Sequence, residues 1–398
     1  MIARTLTGRL RKAAMQFPVV TLTGPRQSGK TTLVRSVFKS HEYVSLESPD
    51  HLEFALQDPR GFLNQFSGPV ILDEVQRTPS LFSYIQSIVD ENDRSGQFIL
   101  TGSQNFLLLE RISQSLAGRS AVLHLLPFSL SELAGRSPLS LDTLGRSAPR
   151  REKPPRLDLL AMLLAGFYPR IHDKHLPPRD WLGPYYQTYL ERDVRSVLKV
   201  GDLDAFSRFV RLCAGRNAGL LNLSGLASDC GITHTTARRW ISVLEASFVI
   251  TLLRPHHKSY GKRLIKSPKL YFLDTGLLCF LLQIRTREEL LHHSSRGSVF
   301  ESYVLSELIK NFAHRGEQPT INFWREATGR EVDFMIDLGA RIIPMEAKSA
   351  QTVAADFFKE IGAWRALSGK VDAPAALIYG GDQSFVRQGV AVCPWFVF

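Results

Sequence analysis

The chain has 398 residues, 44% of them hydrophobic and 22% charged, and a formal net charge of +11. This balance fits two or three folded domains and excludes a disordered polyelectrolyte; no apolar run reaches the roughly 18 residues that a membrane span needs. The positive excess points to a polyanionic partner, although a nucleotide site also attracts positive charge.

Residues 1–17 are basic and lack a continuous apolar stretch. Ile2, Leu6, Leu10 and Ala13 recur at helical spacing, so an amphipathic helix is expected rather than a signal peptide. Strands are expected near residues 18–23, 43–46, 69–73, 97–101 and 121–126, alternating with helices. That alternation is the pattern of an α/β fold with a parallel sheet. The first strand, Val19 to Thr23, runs into Gly24-Pro25-Arg26-Gln27-Ser28-Gly29-Lys30-Thr31. This stretch fits the phosphate-binding pattern G-x-x-x-x-G-K-[ST] and is followed by a helix from Thr31 to Phe38. Its glycines let backbone N–H groups wrap a triphosphate, so Gly24, Gln27, Ser28, Gly29 and Thr32 are expected against ATP. Lys30 would reach the outer phosphates, and Thr31 would offer its hydroxyl to Mg²⁺.

Hydrolysis also needs a carboxylate near the metal and a group that places water. Val70-Ile71-Leu72-Asp73-Glu74 is a strand ending in both. Asp73 is expected in the metal shell and Glu74 on the attacking water; a solvated acidic turn is the alternative. Phe98 to Thr101 is another buried strand, ending at Gly102-Ser103-Gln104. Ligands of doubly wound sheets lie at such carboxyl ends, which puts Thr101 or Ser103 near the γ-phosphate. Arg119 follows Leu116-Ala117-Gly118. It could stabilise transition-state charge on a neighbouring subunit's ATP, or simply close a helix.

Taken together, Gly24–Thr31, Val70–Glu74, Thr101–Gln104 and Leu116–Arg119 resemble a prokaryotic AAA+-like P-loop ATPase family with an uncharacterised second half. The resemblance spans nearly the whole chain. It implies an ATPase core over residues 1–133, a homo-oligomer, and an arginine-finger role for Arg119. It also implies a small lid motif near the nucleotide base at Ala165-Gly166-Phe167-Tyr168-Pro169-Arg170. Phe167 stands where the motif has its second glycine, so only Gly166 and Pro169 carry over.

Residues 134–156 are rich in Ser, Pro, Gly and Arg and read as a flexible insertion. A helical lid and junction are expected over 157–215. Within it the aromatic run from Trp181 to Tyr189 is either a nucleotide-sensing coupler or an aromatic core helix. Residues 216–290 fit a winged helix-turn-helix. Gly231 sits at the turn and Thr233 caps a second helix that carries Arg238, Arg239 and Trp240. Ala246 to Leu273 contains no acidic residue but holds Lys258, Tyr260, Lys262, Arg263 and Lys266, as in a basic wing. These residues are candidate DNA contacts; a packing module between domains is the alternative.

Residues 291–398 carry a second constellation. Arg330 to Asp337 and Arg341 to Lys348 read as two strands joined by a Gly339-Ala340 turn, which sets Asp333 opposite Glu346 with Lys348 on the same face. Two facing carboxylates repel unless a cation lies between them, and a divalent metal would serve. Solvated hairpin charges are the alternative. The D…E-x-K arrangement resembles the restriction-endonuclease-like (PD-(D/E)xK) nucleases, whose helix carboxylate matches Glu301. That resemblance implies an α/β nuclease domain, metal ligands Asp333, Glu346 and Glu301, and a catalytic Lys348. Cys213, Cys230, Cys279 and Cys393 lie far apart with no metal spacing, which fits a reducing cytoplasm. The expected whole is an ATP- and Mg²⁺-dependent DNA-processing protein with no membrane segment and a protein partner, if any, unidentified. A DNA-binding switch without cleavage, or an ATPase acting on a protein, is the alternative.

Overall fold

The computed structural model describes residues 2–92, 94–103, 115–146, 154–155, 158–191, 203–256, 267–326 and 328–398. The chain divides into two compact units. The first holds residues 1–128, 246–248 and 312–318; the second holds 129–245, 249–311 and 319–398. No helix among the described residues is long and apolar enough to cross a membrane.

The first unit is built on a sheet of β1 (Val19–Thr23), β2 (Glu42–Ser45), β3 (Val70–Asp73), β4 (Phe98–Gly102) and β5 (Ser120–His124). Its order is β2-β3-β4-β1-β5, and every pairing is parallel. Parallel strands need helical crossovers, which cover both faces and leave the strands apolar on both sides. The alternation is visible residue by residue. Val70, Leu72, Phe98 and Leu100 pack with Leu81, Phe82 and Ile85 of the helix Leu81–Glu91. Their neighbours Ile71 and Ile99 pack on the opposite face with Leu6, Leu10 and Ala13, next to Leu33 and Val34 of the helix Lys30–Val37. The amphipathic N-terminal helix is therefore present, at Thr7–Gln16. β5 ends at His124, two residues short of the expected strand, although the Leu125 N–H still reaches Thr23 O at 2.8 Å.

His124 lies tilted against Phe248, with ring centroids 5.6 Å apart, and burial lowers its pKa from 6.5 to about 4. A histidine held neutral in the fold and free to charge when unfolded stabilises the fold fully above the unfolded pKa. That stability is lost as pH falls from about 6.5 toward 4. The first unit is thus expected to lose roughly 3 kcal/mol across that window. Thermal unfolding followed against pH checks this, and His124→Leu should flatten the acid side of the curve.

In the second unit, Ser129 and Glu132 form a reciprocal capping box on the helix Leu130–Ala134. The next segment differs from the flexible insertion expected over 134–156. Leu139 O accepts from Asn311 Nδ2 at 2.7 Å and Leu141 O from Arg341 Nη2 at 2.9 Å, while Leu141 and Leu144 are buried. Composition misled here because two leucines within a Ser/Gly/Pro-rich stretch suffice to anchor it. Residues 147–153 and 156–157 lie outside the described residues.

Short helices follow at Leu159–Ala165, Pro169–Asp173 and Pro178–Tyr185. Trp181 stacks on Tyr185 at 4.7 Å, and the Tyr185 hydroxyl lies 2.9 Å from that of Tyr168. The first part of the aromatic run therefore forms a core. Two successive helices, Leu223–Cys230 and His234–Ala246, occupy the segment expected to form a helix-turn-helix. Asn222 caps the first helix, Gly231 closes it at φ 68°, and Thr233 Oγ1 accepts from Thr236 N at 3.1 Å. Trp240 packs edge-on against Phe206 and Phe209 of the helix Leu203–Gly215. β6 (Ile250–Leu253) and β7 (Lys269–Phe272) then pair antiparallel.

The C-terminal sheet holds β8 (Ile321–Arg325), β9 (Glu331–Asp337), β10 (Ile342–Lys348), β11 (Ala376–Tyr379), β12 (Phe385–Arg387) and β13 (Val390–Pro394) in the order β12-β13-β11-β10-β9-β8. β8, β9 and β10 form an antiparallel meander, whereas β11 lies parallel to β10 and is reached through the helix Lys359–Ser368. Trp364 of that helix packs on Trp324, Val332, Met335 and Ile342. The helix Arg296–Arg315 precedes the meander, and its Tyr303 donates to Trp395 O at 2.8 Å.

Candidate functional sites

The first site forms at the carboxyl end of the parallel sheet, where β1 separates β4 from β5. Gly24 leaves β1 at φ 149°, and a Cβ there would lie 2.1 Å from Leu125 O, so only glycine fits. Gly29 opens the following helix at φ 92°, and Gln27 also adopts a positive φ of 61°. Lys30 is buried and donates to Gly24 O at 3.0 Å and Pro25 O at 2.9 Å. Burial lowers its pKa to about 8, against the opposing pull of Glu74 and Asp73. Ser28 is fully buried, and its Oγ has no hydrogen-bond partner. Thr32 is exposed on the helix.

Asp73 is held by three hydroxyls. Thr31 Oγ1 donates to Oδ2 at 2.8 Å, the Tyr43 hydroxyl to Oδ2 at 2.9 Å, and Thr101 Oγ1 to Oδ1. Burial and the Asp73 charge push the Tyr43 phenol up to about 12, so it stays a donor. Glu74 sits in the left-handed region at φ 58°, which turns its side chain off the strand line. There Ser103 Oγ donates to Oε2 at 3.2 Å, and Gln76 Nε2 donates to the same oxygen. The donor set fits a magnesium nucleotide. The Thr31 hydroxyl and the Asp73 carboxylate share one point, as a hard cation requires, and the orphaned Ser28 hydroxyl faces no protein acceptor. Arg119 is exposed and pairs with Asp90, its Nη2 lying 3.0 Å from Oδ2, a partner the sequence did not suggest.

Tyr43, Gln76 and Arg4 escaped the sequence reading. Arg4 Nη1 donates to Ser28 O at 2.8 Å. None of the three lies in a recognisable motif. Tyr43 is readable only as an aromatic in a strand until β2 is placed beside β3, where Val44 pairs with Leu72 and Ser45 with Asp73.

The second site lies on β9 and β10. Ile342 pairs with Asp337 and Met345 with Phe334, the register that carries Asp333 toward Glu346. Both carboxylates are buried, and Lys348 Nζ joins them, 3.2 Å from Asp333 Oδ2 and 2.5 Å from Glu346 Oε2. Ala347 N also donates to Asp333 Oδ2 at 3.0 Å. Burial alone would raise the Asp333 pKa, but Lys348 and Lys269 outweigh it and hold the group below its usual range. Burial and the Asp333 charge drive Glu346 well above its usual range, and the two carboxyl groups are hydrogen-bonded to each other. Lys348 itself supplies a cation beside the two carboxylates, so they do not face each other as bare like charges. The third expected ligand, Glu301, lies near the charge of Asp333 and has partners of its own. Glu301 accepts from the Tyr271 hydroxyl at 3.0 Å and lies 4.0 Å from Lys269 Nζ. Among the described residues no group of three His, Cys, Asp or Glu side chains is arranged to hold a metal ion. Asp333 and Glu346, buried side by side, still offer the oxygen ligands that a divalent cation needs.

The remaining expected residues lie in the second unit or outside the described residues. Gly166 and Pro169 belong to the second unit, where Phe167 N donates to Asp274 Oδ2 at 2.8 Å and the Phe167 ring stacks on Tyr303 at 5.8 Å. A Cβ on Gly166 would lie 2.4 Å from Asp274 Oδ1, so this glycine serves close packing. Arg238 and Arg239 are exposed on the helix His234–Ala246. Lys258, Tyr260, Lys262, Arg263 and Lys266 lie outside the described residues, as does Gln104.

Residues 16–134 match the AAA domain family. Residues 156–288 and 296–398 match two domains of unknown function, DUF8612 and DUF4143. Two curated proteins, Uncharacterized protein Rv2008c of Mycobacterium tuberculosis and Uncharacterized protein Mb2031c of Mycobacterium bovis, are each 33% identical over 88% of this chain and 74% of their own length. Among solved structures, the Walker-type ATPase PABY2304 of Pyrococcus abyssi is 15% identical over 71% of this chain and 96% of its own, with a TM-score of 0.39. The RuvB Holliday junction branch migration motor of Thermotoga maritima is 17% identical over 63% of this chain and 87% of its own, with a TM-score of 0.29. These superpositions are loose, so the assignment rests on the domain match, the curated relatives and the phosphate-loop geometry. The chain belongs to the family of the two mycobacterial proteins and carries an AAA-type P-loop ATPase domain in its first unit.

Proposed function

We propose that this chain hydrolyses ATP and acts on DNA, and that its last hundred or so residues form a metal-dependent nuclease domain of restriction-endonuclease-like architecture. The observation that carries the nuclease reading is the Asp333–Lys348–Glu346 cluster on adjoining strands of a helix–meander–helix–strand arrangement. In the ATPase domain, Lys30 exchanges the Gly24 and Pro25 carbonyls for the outer phosphates. Glu74, oriented by Ser103 and Gln76, aligns water and takes its proton. Thr31 and Asp73 would hold magnesium, which when bound neutralises charge on the phosphates. Arg119 acts in a neighbouring subunit's site within a homo-oligomer. In the nuclease domain, Asp333 and Glu346 would hold the metal, and Lys348 stabilises charge developing on the scissile phosphate.

The test is purified protein with plasmid DNA and Mg²⁺ or Mn²⁺, with and without ATP. Metal-dependent nicking supports the reading; its absence on every DNA and RNA form sinks the nuclease. One observation favours a second reading, a DNA-binding switch that does not cut: Lys348 is already ion-paired with both carboxyl groups.

The DNA contact is tested separately. Arg238→Glu with Arg239→Glu should weaken duplex binding about tenfold or more and reduce the salt slope by about 2, because each lost phosphate contact releases fewer counterions. Affinity and slope equal to wild type would give this helix a packing role.

A further inference from the structure

The nucleotide loop is tied to the first unit by a residue outside every motif. In a phosphate loop the N–H groups turn inward toward the anion, so the carbonyls turn outward and need other partners. Two of them, on Gly24 and Pro25, take Lys30 Nζ. Lys30 must leave them when phosphates arrive, so these bonds do not hold the loop in its loaded form. The Ser28 carbonyl is different. It takes Nη1 of Arg4 at 2.8 Å, and Nη2 of the same guanidinium reaches Leu126 O at 2.6 Å. The guanidinium carbon lies 4.8 Å from the centre of the Phe128 ring, which supports its flat face. The segment after β5 therefore grips the loop twice. Leu125 O presses on Gly24 and leaves no room for a side chain, and Leu126 O is joined through Arg4 to Ser28. A rigid planar fork suits this bridge, because its donors diverge at a fixed angle and it cannot lose its charge.

We propose that Arg4 is a positioning residue that holds the phosphate loop in its binding shape before nucleotide arrives and keeps it there afterwards. This rests on the ATP-site reading and adds to it a residue from ahead of the first helix. A brace acts on the loop as a whole, so it serves every phosphate the loop contacts. A residue that itself touched the γ-phosphate would instead favour ATP over ADP.

The experiment measures ATP and ADP affinity, turnover at saturation, and amide hydrogen exchange over residues 23–33 in wild type, Arg4→Lys and Arg4→Ala. Arg4→Ala should weaken ATP and ADP by the same factor, about tenfold, as expected for loss of charge-assisted bonds. Turnover at saturating ATP should stay within about threefold, since the bound nucleotide restores the loop. Exchange over 23–33 should rise in the nucleotide-free variant, while the peptide covering 81–91 keeps the wild-type rate. Arg4→Lys should fall between, because an ammonium cannot span both carbonyls in one plane. Affinities equal to wild type, loss confined to ATP, or faster exchange throughout the unit would each overturn the brace. A wild type that binds no nucleotide would overturn the ATP-site reading and the brace with it. A wild type that binds normally beside an unaffected Arg4→Ala would overturn the brace alone.

Discussion

Lys30→Ala is expected to weaken ATP binding by about a hundredfold and to abolish measurable turnover, because it removes the one ammonium inside the phosphate loop. Nothing in the loop replaces it. Arg26 also lies in the loop, four residues earlier, but Lys30 is the cation buried against Gly24 and Pro25. Glu74→Gln separates binding from chemistry. The amide keeps the shape and leaves Lys30, Thr31 and Asp73 in place, so affinity should stay within about threefold of wild type. Turnover should fall by about 10² to 10³, the cost of losing a positioned general base. Titration with a fluorescent ATP analogue and a phosphate-release assay check both. Normal turnover in either variant would remove the ATP-site assignment. If Arg119 acts across subunits, its alanine variant should bind nucleotide normally and hydrolyse it slowly. A fully active monomer in light scattering would refute that role.

Loss of Asp333, Glu346 or Lys348 is expected to reduce metal-dependent DNA cleavage by at least about a hundredfold, with ATP turnover within about twofold of wild type. The insulation follows from placement: these three side chains lie in the second unit and the phosphate loop in the first. Alanine is a harsh change at this cluster, since it leaves a buried charge without its partner and can cost about 3–5 kcal/mol of stability. Asp333→Asn and Glu346→Gln keep the shape and should lose cleavage while melting close to wild type. Glu301→Ala should be milder, because Glu301 joins from a helix, where Tyr271 donates to it and Lys269 lies nearby. Cleavage that persists without Asp333 or Glu346 arises elsewhere. A wild type that cuts nothing transfers the lead to the switch reading.

The phosphate loop, its flanking strand and helix, and the Asp73-Glu74 pair were legible from residue order because each is a local device. The glycine positions, the strand pattern and the acidic end all fall within a few neighbours of one another. The facing of β9 and β10 was legible for the same reason. A two-residue turn sets the register of a hairpin, and Gly339 at φ 75° provides that turn. What residue order could not supply was the company these groups keep. Tyr43 on Asp73 depends on β2 lying beside β3, and Arg4 on Ser28 joins residues 24 positions apart. The Ser/Pro/Gly-rich stretch after Ala134 looked free because its anchors, Asn311 and Arg341, lie far along the chain. Lys348 was expected on the face of Asp333 and Glu346, but the opposite pKa shifts of the two carboxyl groups were not legible. Whether two carboxylates need a metal depends on where Lys348 points and on how Glu301 is turned by Tyr271 and Lys269. Local spacing settles which residues can do chemistry, whereas their protonation and orientation are set by long-range neighbours in a low-dielectric interior, which only folding brings together.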